Sequence, residues 1–501
     1  MSTSGRPTSL HAAAAALAAA LIVVQPTAAH AIGGTFQLPV PLGIYLVAAG
    51  LVVAGSFVVS ALILRPPADI PAYPVVAVAA APARSASVLL AVLGMAWWAW
   101  ALWTAFAVPG SSVPGVLFWI VLWVGLPIIS ATLGNPWPSF SPFRTIFGLL
   151  ERAAGAAGLG SIELGVRYPS GLGRWPAAAL LFAGLWTELV LPGSSAATTV
   201  GGLLAGYTLL TIAGMLIFGR VAWLRNAELF EVLLGWFGRI GPFGRRTVEA
   251  EVCDGCAEAC DPGRCIDCPE CSVVADPGEQ AGELRPWFSG LTEVHRPNWS
   301  DACFIVLALA GVTFDGLRET GVWVTFLDVV GAPLSDAMGS AAGDLVTGTI
   351  GLLLTWAAFL AAFGVAAWLT RRMSRRPAWS DFGALAGGYA STLLPIAAGY
   401  FVAHYLTLVI QGAIWLPELA RDPAASVAPN LDWIPIAFVW YLSVGAIVLG
   451  HMAAIVLAHR LALRDVPHSR LAAGAPLVLL MIGYTVLSLW IIAQPITLPP
   501  T

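Results

Sequence analysis

Six of the seven cysteines, Cys253, Cys256, Cys260, Cys265, Cys268 and Cys271, fall within nineteen residues of a 501-residue chain. A CxxC turn places two thiolates on one ion, and a second such turn closes a tetrahedral site. Cys253–Cys256 and Cys265–Cys268 are two such pairs, which leaves Cys260 and Cys271 as alternative ligands or part of a second site. Zinc is the ion this spacing favours. Cys265, Cys268 and Cys271 also make a CxxCxxC run, so an iron–sulfur cluster is the alternative; the bacterial ferredoxin pattern would continue with Cys-Pro, where Ala275 and Asp276 stand. Disulfides are the third reading, and the compartment decides among them.

A second set of residues interrupts apolar runs. A carboxylate at the centre of a membrane helix costs about 2.5–3.5 kcal/mol on insertion scales and calls for a partner. Glu188 and Asp315 each stand 13 residues past the start of an apolar segment, about 20 Å along a helix at 1.5 Å per residue, and His404 lies towards the same face of the membrane. Together these three could activate a water, directly or through a metal, or relay protons or bind a cation. His451 and His459 are further polar residues of apolar segments, each read first as a packed histidine with one hydrogen bond. The acidic residues Glu319, Asp328, Asp336, Asp344, Glu418, Asp422 and Asp432 cluster in two loops and read as solvation or as a cation-attracting mouth.

The elements that must hold these residues are membrane helices. With 58% hydrophobic and 10% charged residues and a mean hydropathy of +0.81, too little polar surface exists to enclose a soluble core. Residues 1–31 have a basic start, an apolar run and small residues ending in Ala29-His30-Ala31, the layout of a signal peptide. Ten later segments are each apolar over about the 20 residues a span needs: 41–64, 86–108, 114–133, 175–192, 199–222, 302–322, 347–369, 384–410, 433–458 and 474–493. All 24 basic residues are Arg, and with ten spans 21 of them fall on one side, against Arg318 and Arg421 on the other. The positive-inside rule then puts both mature ends outside and the cysteines in the cytoplasm, in a reducing compartment that favours metal over disulfides.

The expected fold is thus an all-α, polytopic transmembrane helical bundle of about ten spans with a Cys-rich cytoplasmic loop, in the inner or plasma membrane. Residues 32–222 form one five-span half, 223–301 the loop and 302–501 the second half. Five spans per half would insert the halves with opposite topology, as in inverted-repeat transporters. Segments 142–155 and 227–240 mix apolar and charged residues at helical spacing, as interfacial helices or ordinary connectors do. Nothing signals nucleic-acid binding, and no nucleophile elbow, phosphate loop or zinc-protease motif occurs.

At Phe314-Asp315-Gly316-Leu317, Glu319-Thr320 and Trp323 the chain resembles a bacterial and archaeal family of multi-pass membrane proteins named fenitrothion hydrolases. The likeness continues at His404-Tyr405-Leu406, Gly450-His451, Leu457-Ala458-His459-Arg460, Ala462-Leu463, Ser488-Leu489-Trp490 and Gln494-Pro495-Ile496. Near the start it covers His30-Ala31, Leu38-Pro39-Val40-Pro41-Leu42 and Tyr45. The resemblance implies hydrolysis of an organophosphorus ester and carries over no catalytic residue. Three functions follow as expectations: a membrane hydrolase taking a small hydrophobic ester from the lipid bilayer, with Asp315, Glu188 and His404 catalytic; a proton- or cation-coupled transporter using the same residues; or a metal- or redox-sensing module centred on the cysteines.

Overall fold

In lipid every backbone polar group must be paired within the protein, so runs of Ala, Leu, Val and Gly of this length become helices. The computed structural model describes residues 36–37, 39–64, 76–80, 84–247, 267–268, 271, 280–292, 297–373, 381–425, 427–465 and 474–498. The segment 1–31 and Cys253, Cys256, Cys260 and Cys265 lie outside the described residues.

The first half comprises β1 (Phe36–Gln37), α1 (Leu42–Ile63), β2 (Ala77–Ala80), α2 (Arg84–Ala107), α3 (Val113–Thr132), α4 (Pro142–Ala156), α5 (Trp175–Leu189) and α6 (Ala197–Phe218). Two short helices, α7 (Arg220–Asn226) and α8 (Leu229–Gly238), lead to β3 (Phe243–Thr247) and β4 (Gln280–Leu284). The second half holds α9 (Trp299–Leu317), the broken helix α10 (321–338), α11 (Ser340–Met373), α12 (Phe382–Arg421), α13 (Ile436–Asp465), α14 (Ala475–Ile496) and β5 (Thr497–Leu498). Among the described residues nine helices are long and apolar enough to cross a membrane. The chain is an all-α bundle with the make-up of an integral, multi-pass membrane protein.

Nine of the ten expected segments correspond to these nine helices. The other, 175–192, is α5, whose 15 residues reach only about 22 Å against a hydrocarbon core of about 30 Å. It ends just past Glu188 and packs on α9 and α8 rather than standing alone in lipid. The segment with the most polar end, α9, is the most enclosed, with 89% of its apolar window buried. Of the charges in and just beyond it, Asp301 and Asp315 meet protein partners, while Arg318 is exposed.

Segment 227–240 does not lie along an interface. Every residue of α8 is buried or nearly so, and α7 and α8 form a hairpin folded back into the bundle. Trp223 of α7 stacks on Phe218, and Glu228, in the turn of the hairpin, is hydrogen-bonded by Tyr207 of α6. The α7 arm is seven residues long, so the turn reaches about 10 Å back into the bundle. Non-helical backbone is tolerated at such depth because protein surrounds it. By contrast α4 keeps an amphipathic character, burying Phe143 and Phe147 while Leu149 and Leu150 face outward.

At one end of the bundle, the loop end, β2, β4 and β3 pair antiparallel, with Ala77 and Phe243 both opposite Leu284. Residues 248–279, which carry the six cysteines, are inserted between β3 and β4. At the opposite end β1 pairs in parallel with β5, Phe36 beside Thr497.

Candidate functional site

Two helices begin together and so carry their carboxylates to one level. Asn298 caps α9 by accepting from the Ser300 amide at 2.8 Å, and Asp301 Oδ2 accepts from the Asn298 amide at 2.9 Å, a reciprocal capping box. Asp301 also forms an ion pair with Arg174, the residue before α5, and the Arg174 amide donates to Ser300 Oγ at 2.7 Å. From this shared start Glu188 is 14 residues beyond Arg174 and Asp315 is 14 beyond Asp301. Equal rise puts the two carboxylates at one depth, about 21 Å from the loop end.

There α12 supplies the partners. His404 Nε2 lies 2.9 Å from Asp315 Oδ2, and Tyr405 donates its hydroxyl to the same oxygen at 2.9 Å. The two rings lie edge to face, 4.7 Å apart, and converge on this one oxygen. Tyr400, one turn earlier, stacks on the His404 ring at 5.8 Å. Asp315 Oδ1 makes no hydrogen bond among the described residues, and the side chain is 23% exposed against 9% for His404. Glu188 lies within electrostatic reach of Asp315 and Arg318, and its Oε2 accepts from Trp123 Nε1 at 2.7 Å. Trp123 belongs to a π-helical stretch of α3, Val116–Gly125, a wound-out geometry that recurs at functional sites.

The structure thus brings Glu188, Asp315 and His404 into one neighbourhood, as a hydrogen-bonded carboxylate–imidazole–phenol cluster with a second carboxylate beside it. Among the described residues no group of three or more His, Cys, Asp and Glu side chains is arranged to hold a metal ion. What the structure shows for these residues is a direct pairing of His404 with Asp315. His451 is fully buried and donates Nδ1–H to the carbonyl of Ile447 on its own helix at 2.8 Å. His459, also buried, packs edge-on against Phe57 at 5.3 Å. Neither hydrogen-bonds the Asp315 cluster.

The loop end carries a second polar centre. Arg285, fully buried, bonds Asp267 Oδ2 at 2.7 Å, Glu283 Oε1 at 3.0 Å and the carbonyls of Gly238 and Gly241 at 3.0 and 3.1 Å. Asp267 adopts a left-handed φ of 42°, a conformation Asp tolerates better than most residues. Its carboxylate accepts from the Arg245 amide at 2.8 Å, and its own amide donates to the Arg245 carbonyl at 3.0 Å. Cys268 follows directly on the clamped Asp267, the Cys271 carbonyl accepts from Gln280 Nε2 at 2.9 Å, and both cysteines are buried. Nearby, Arg144 grips Glu231 with Nε and Nη2 at 3.0 and 2.6 Å, while Glu228 caps α8 and accepts from Trp137 Nε1 at 3.1 Å.

Residue type and spacing assign no site role to Tyr405, which enters only through the resemblance, or to Trp123, Glu228 and Glu231. The last two carried a usable signal, since carboxylates flanking the apolar run Leu229–Gly238 obey the rule that singled out Glu188. Tyr and Trp in apolar helices give no such signal, because most of them only pack. No protein-family model matches the chain, no curated protein matches its sequence, and no solved structure matches its fold.

Proposed function

We propose that the protein works through a proton-exchanging centre inside the membrane, formed by Asp315, His404 and Tyr405 with Glu188 as second carboxylate, and that it hydrolyses a hydrophobic organophosphorus ester there. The observation that carries the reading is the 2.9 Å pairing of His404 with Asp315, the carboxylate–imidazole arrangement by which proton acceptors are oriented. Asp315 Oδ1 makes no hydrogen bond among the described residues, and the attacking water is assigned to it. In the step, water adds to phosphorus as the bond to the aryloxide breaks. The aryloxide leaves with the electron pair, one water proton passes to the Asp315–His404 pair and then to solvent, and the second is lost as the product diester ionises. The substrate class rests on the resemblance at Phe314-Asp315-Gly316-Leu317 and His404-Tyr405-Leu406.

A second reading, proton-coupled transport, is favoured by the tie between Glu188 and the π-helical stretch of α3, and by the 3-10 turn Ser391–Leu393 that interrupts α12. Broken helices beside buried carboxylates are the usual anatomy of coupled carriers. The two are separated by purified protein in detergent, which hydrolyses fenitrothion under the first reading and does not under the second. Under the second, proteoliposomes acidify or alkalinise their lumen with substrate. An Asp315→Asn protein that keeps full hydrolysis removes the first reading.

For the loop we propose cytoplasmic placement, supported by the arginine asymmetry, and a zinc site built from the six cysteines, supported by the burial of Cys268 and Cys271. Metal analysis tests this: zinc in the intact protein, lost on Cys268→Ser, is the expected result. Visible absorbance that bleaches on reduction would replace zinc with an iron–sulfur cluster.

A further inference from the structure

At the loop end a cleft with a volume of about 40 Å³ opens between α8, the 133–139 turn after α3, and the sheet, lined among others by Glu231, Arg245, Asp267, Gln280 and the two cysteines Cys268 and Cys271. One water needs about 10–15 Å³ by this measure, so several water-sized positions adjoin one another. Among the described residues Arg144, Arg245, Arg246 and Arg285 stand in or beside the cleft with Glu231, Asp267 and Glu283. Each carboxylate already has a cation: Glu231 is held by Arg144, Asp267 by Arg285, and Glu283 by Arg285 and Arg246.

Arg245 is the odd one out. Of its side-chain donors only Nη2 is used, to Ser139 Oγ at 2.9 Å, and it forms no ion pair among the described residues. A guanidinium has five N–H donors in a fork that matches an oxyanion. Burial pushes Arg245 below its ordinary pKa, Asp267 opposing the shift and Arg144 adding to it. An anion in the cleft would relieve this.

We propose that the cleft binds a phosphate-type oxyanion, with Arg245 as its principal donor. Two sources share this chemistry, free phosphate and the headgroup of an anionic phospholipid. The second is at hand, because α4 begins three residues after Ser139 and turns Leu149 and Leu150 outward, as a helix lying at the lipid surface does. The site lies at the other end of the bundle from Asp315 and does not depend on the reaction proposed there.

The test uses the full chain in uncharged detergent. Inorganic phosphate is compared with chloride at equal ionic strength, and short-chain phosphatidylglycerol with phosphatidylcholine, by equilibrium binding and by thermal melting. The expected result is one phosphate or one phosphatidylglycerol per chain, with the melting temperature rising by about 2–4 °C at saturation. Arg245→Gln abolishes the binding, and Arg245→Lys, which keeps the charge but loses the fork, weakens it about tenfold or more. Which ligand binds identifies the source. Binding of neither, or binding unchanged in Arg245→Gln, overturns the proposal. Should Arg245→Gln fail to fold, unchanged affinity in Arg245→Lys overturns it instead.

Discussion

The centre around Asp315 and the centre around Arg285 are both charged and both enclosed by helices, yet they are built to opposite ends. Arg285 has two carboxylates and two backbone carbonyls around it, at 2.7–3.1 Å. A charge so surrounded is immobile, and its cost of desolvation is offset only while every partner stays. Asp315 has one oxygen doubly held and the other open. That asymmetry fixes the group in space and leaves one atom for chemistry. The difference separates a polar cluster that maintains shape from one that can exchange a proton.

The comparison can be broken at either end. Asp315→Asn should lower turnover by about 10²- to 10⁴-fold, the usual worth of a positioned proton acceptor, while the melting temperature stays close to that of the parent. A matching collapse of the fold would make Asp315 a structural residue. Arg285→Ala should do the reverse, costing about 3–5 kcal/mol of stability by leaving Asp267 without its cation and Glu283 with Arg246 alone; urea melts read the loss, and turnover per folded molecule should hold. Tyr405→Phe sharpens the picture, removing one of two donors to Asp315 and lowering turnover by about 10- to 100-fold, as a hydrogen bond to a charged group worth about 1.5–3 kcal/mol implies. The smallest effect is expected for Glu151→Gln, which breaks an exposed ion pair with Arg220 and should shift stability by less than about 1 kcal/mol.

Much of this was legible in the sequence. Apolar length located nine helices, and the cost of burying charge singled out Glu188, Asp315 and His404. What could not be read was whether they touch, since contact depends on how α3, α5, α9 and α12 are rotated, and hydropathy is nearly blind to rotation in helices that are apolar all round. Counted along its own segment, 384–410, His404 stands 20 residues from the start against 13 for Asp315; the pairing shows that α12 is offset along its axis. The hairpin of α7 and α8 escaped for a related reason. Charges at Arg220, Glu228 and Glu231 suggest a surface, whereas here they are matched by Glu151, Arg144, Tyr207 and Trp137 inside the bundle or at its rim.

The pairing of Arg174 with Asp301 gives α5 and α9 a common origin, and this makes the two helices a ruler. Depth is measured out in residues from that mark, and Glu188 and Asp315 are its matching graduations. A single residue inserted between Asp301 and Asp315 would leave hydropathy and capping intact, yet advance the second scale by about 1.5 Å and turn it by about 100°. Asp315 would then point away from His404. The distance that matters to the site is thus encoded in chain length between two capped starts, and substitutions preserve it where a one-residue insertion erases it.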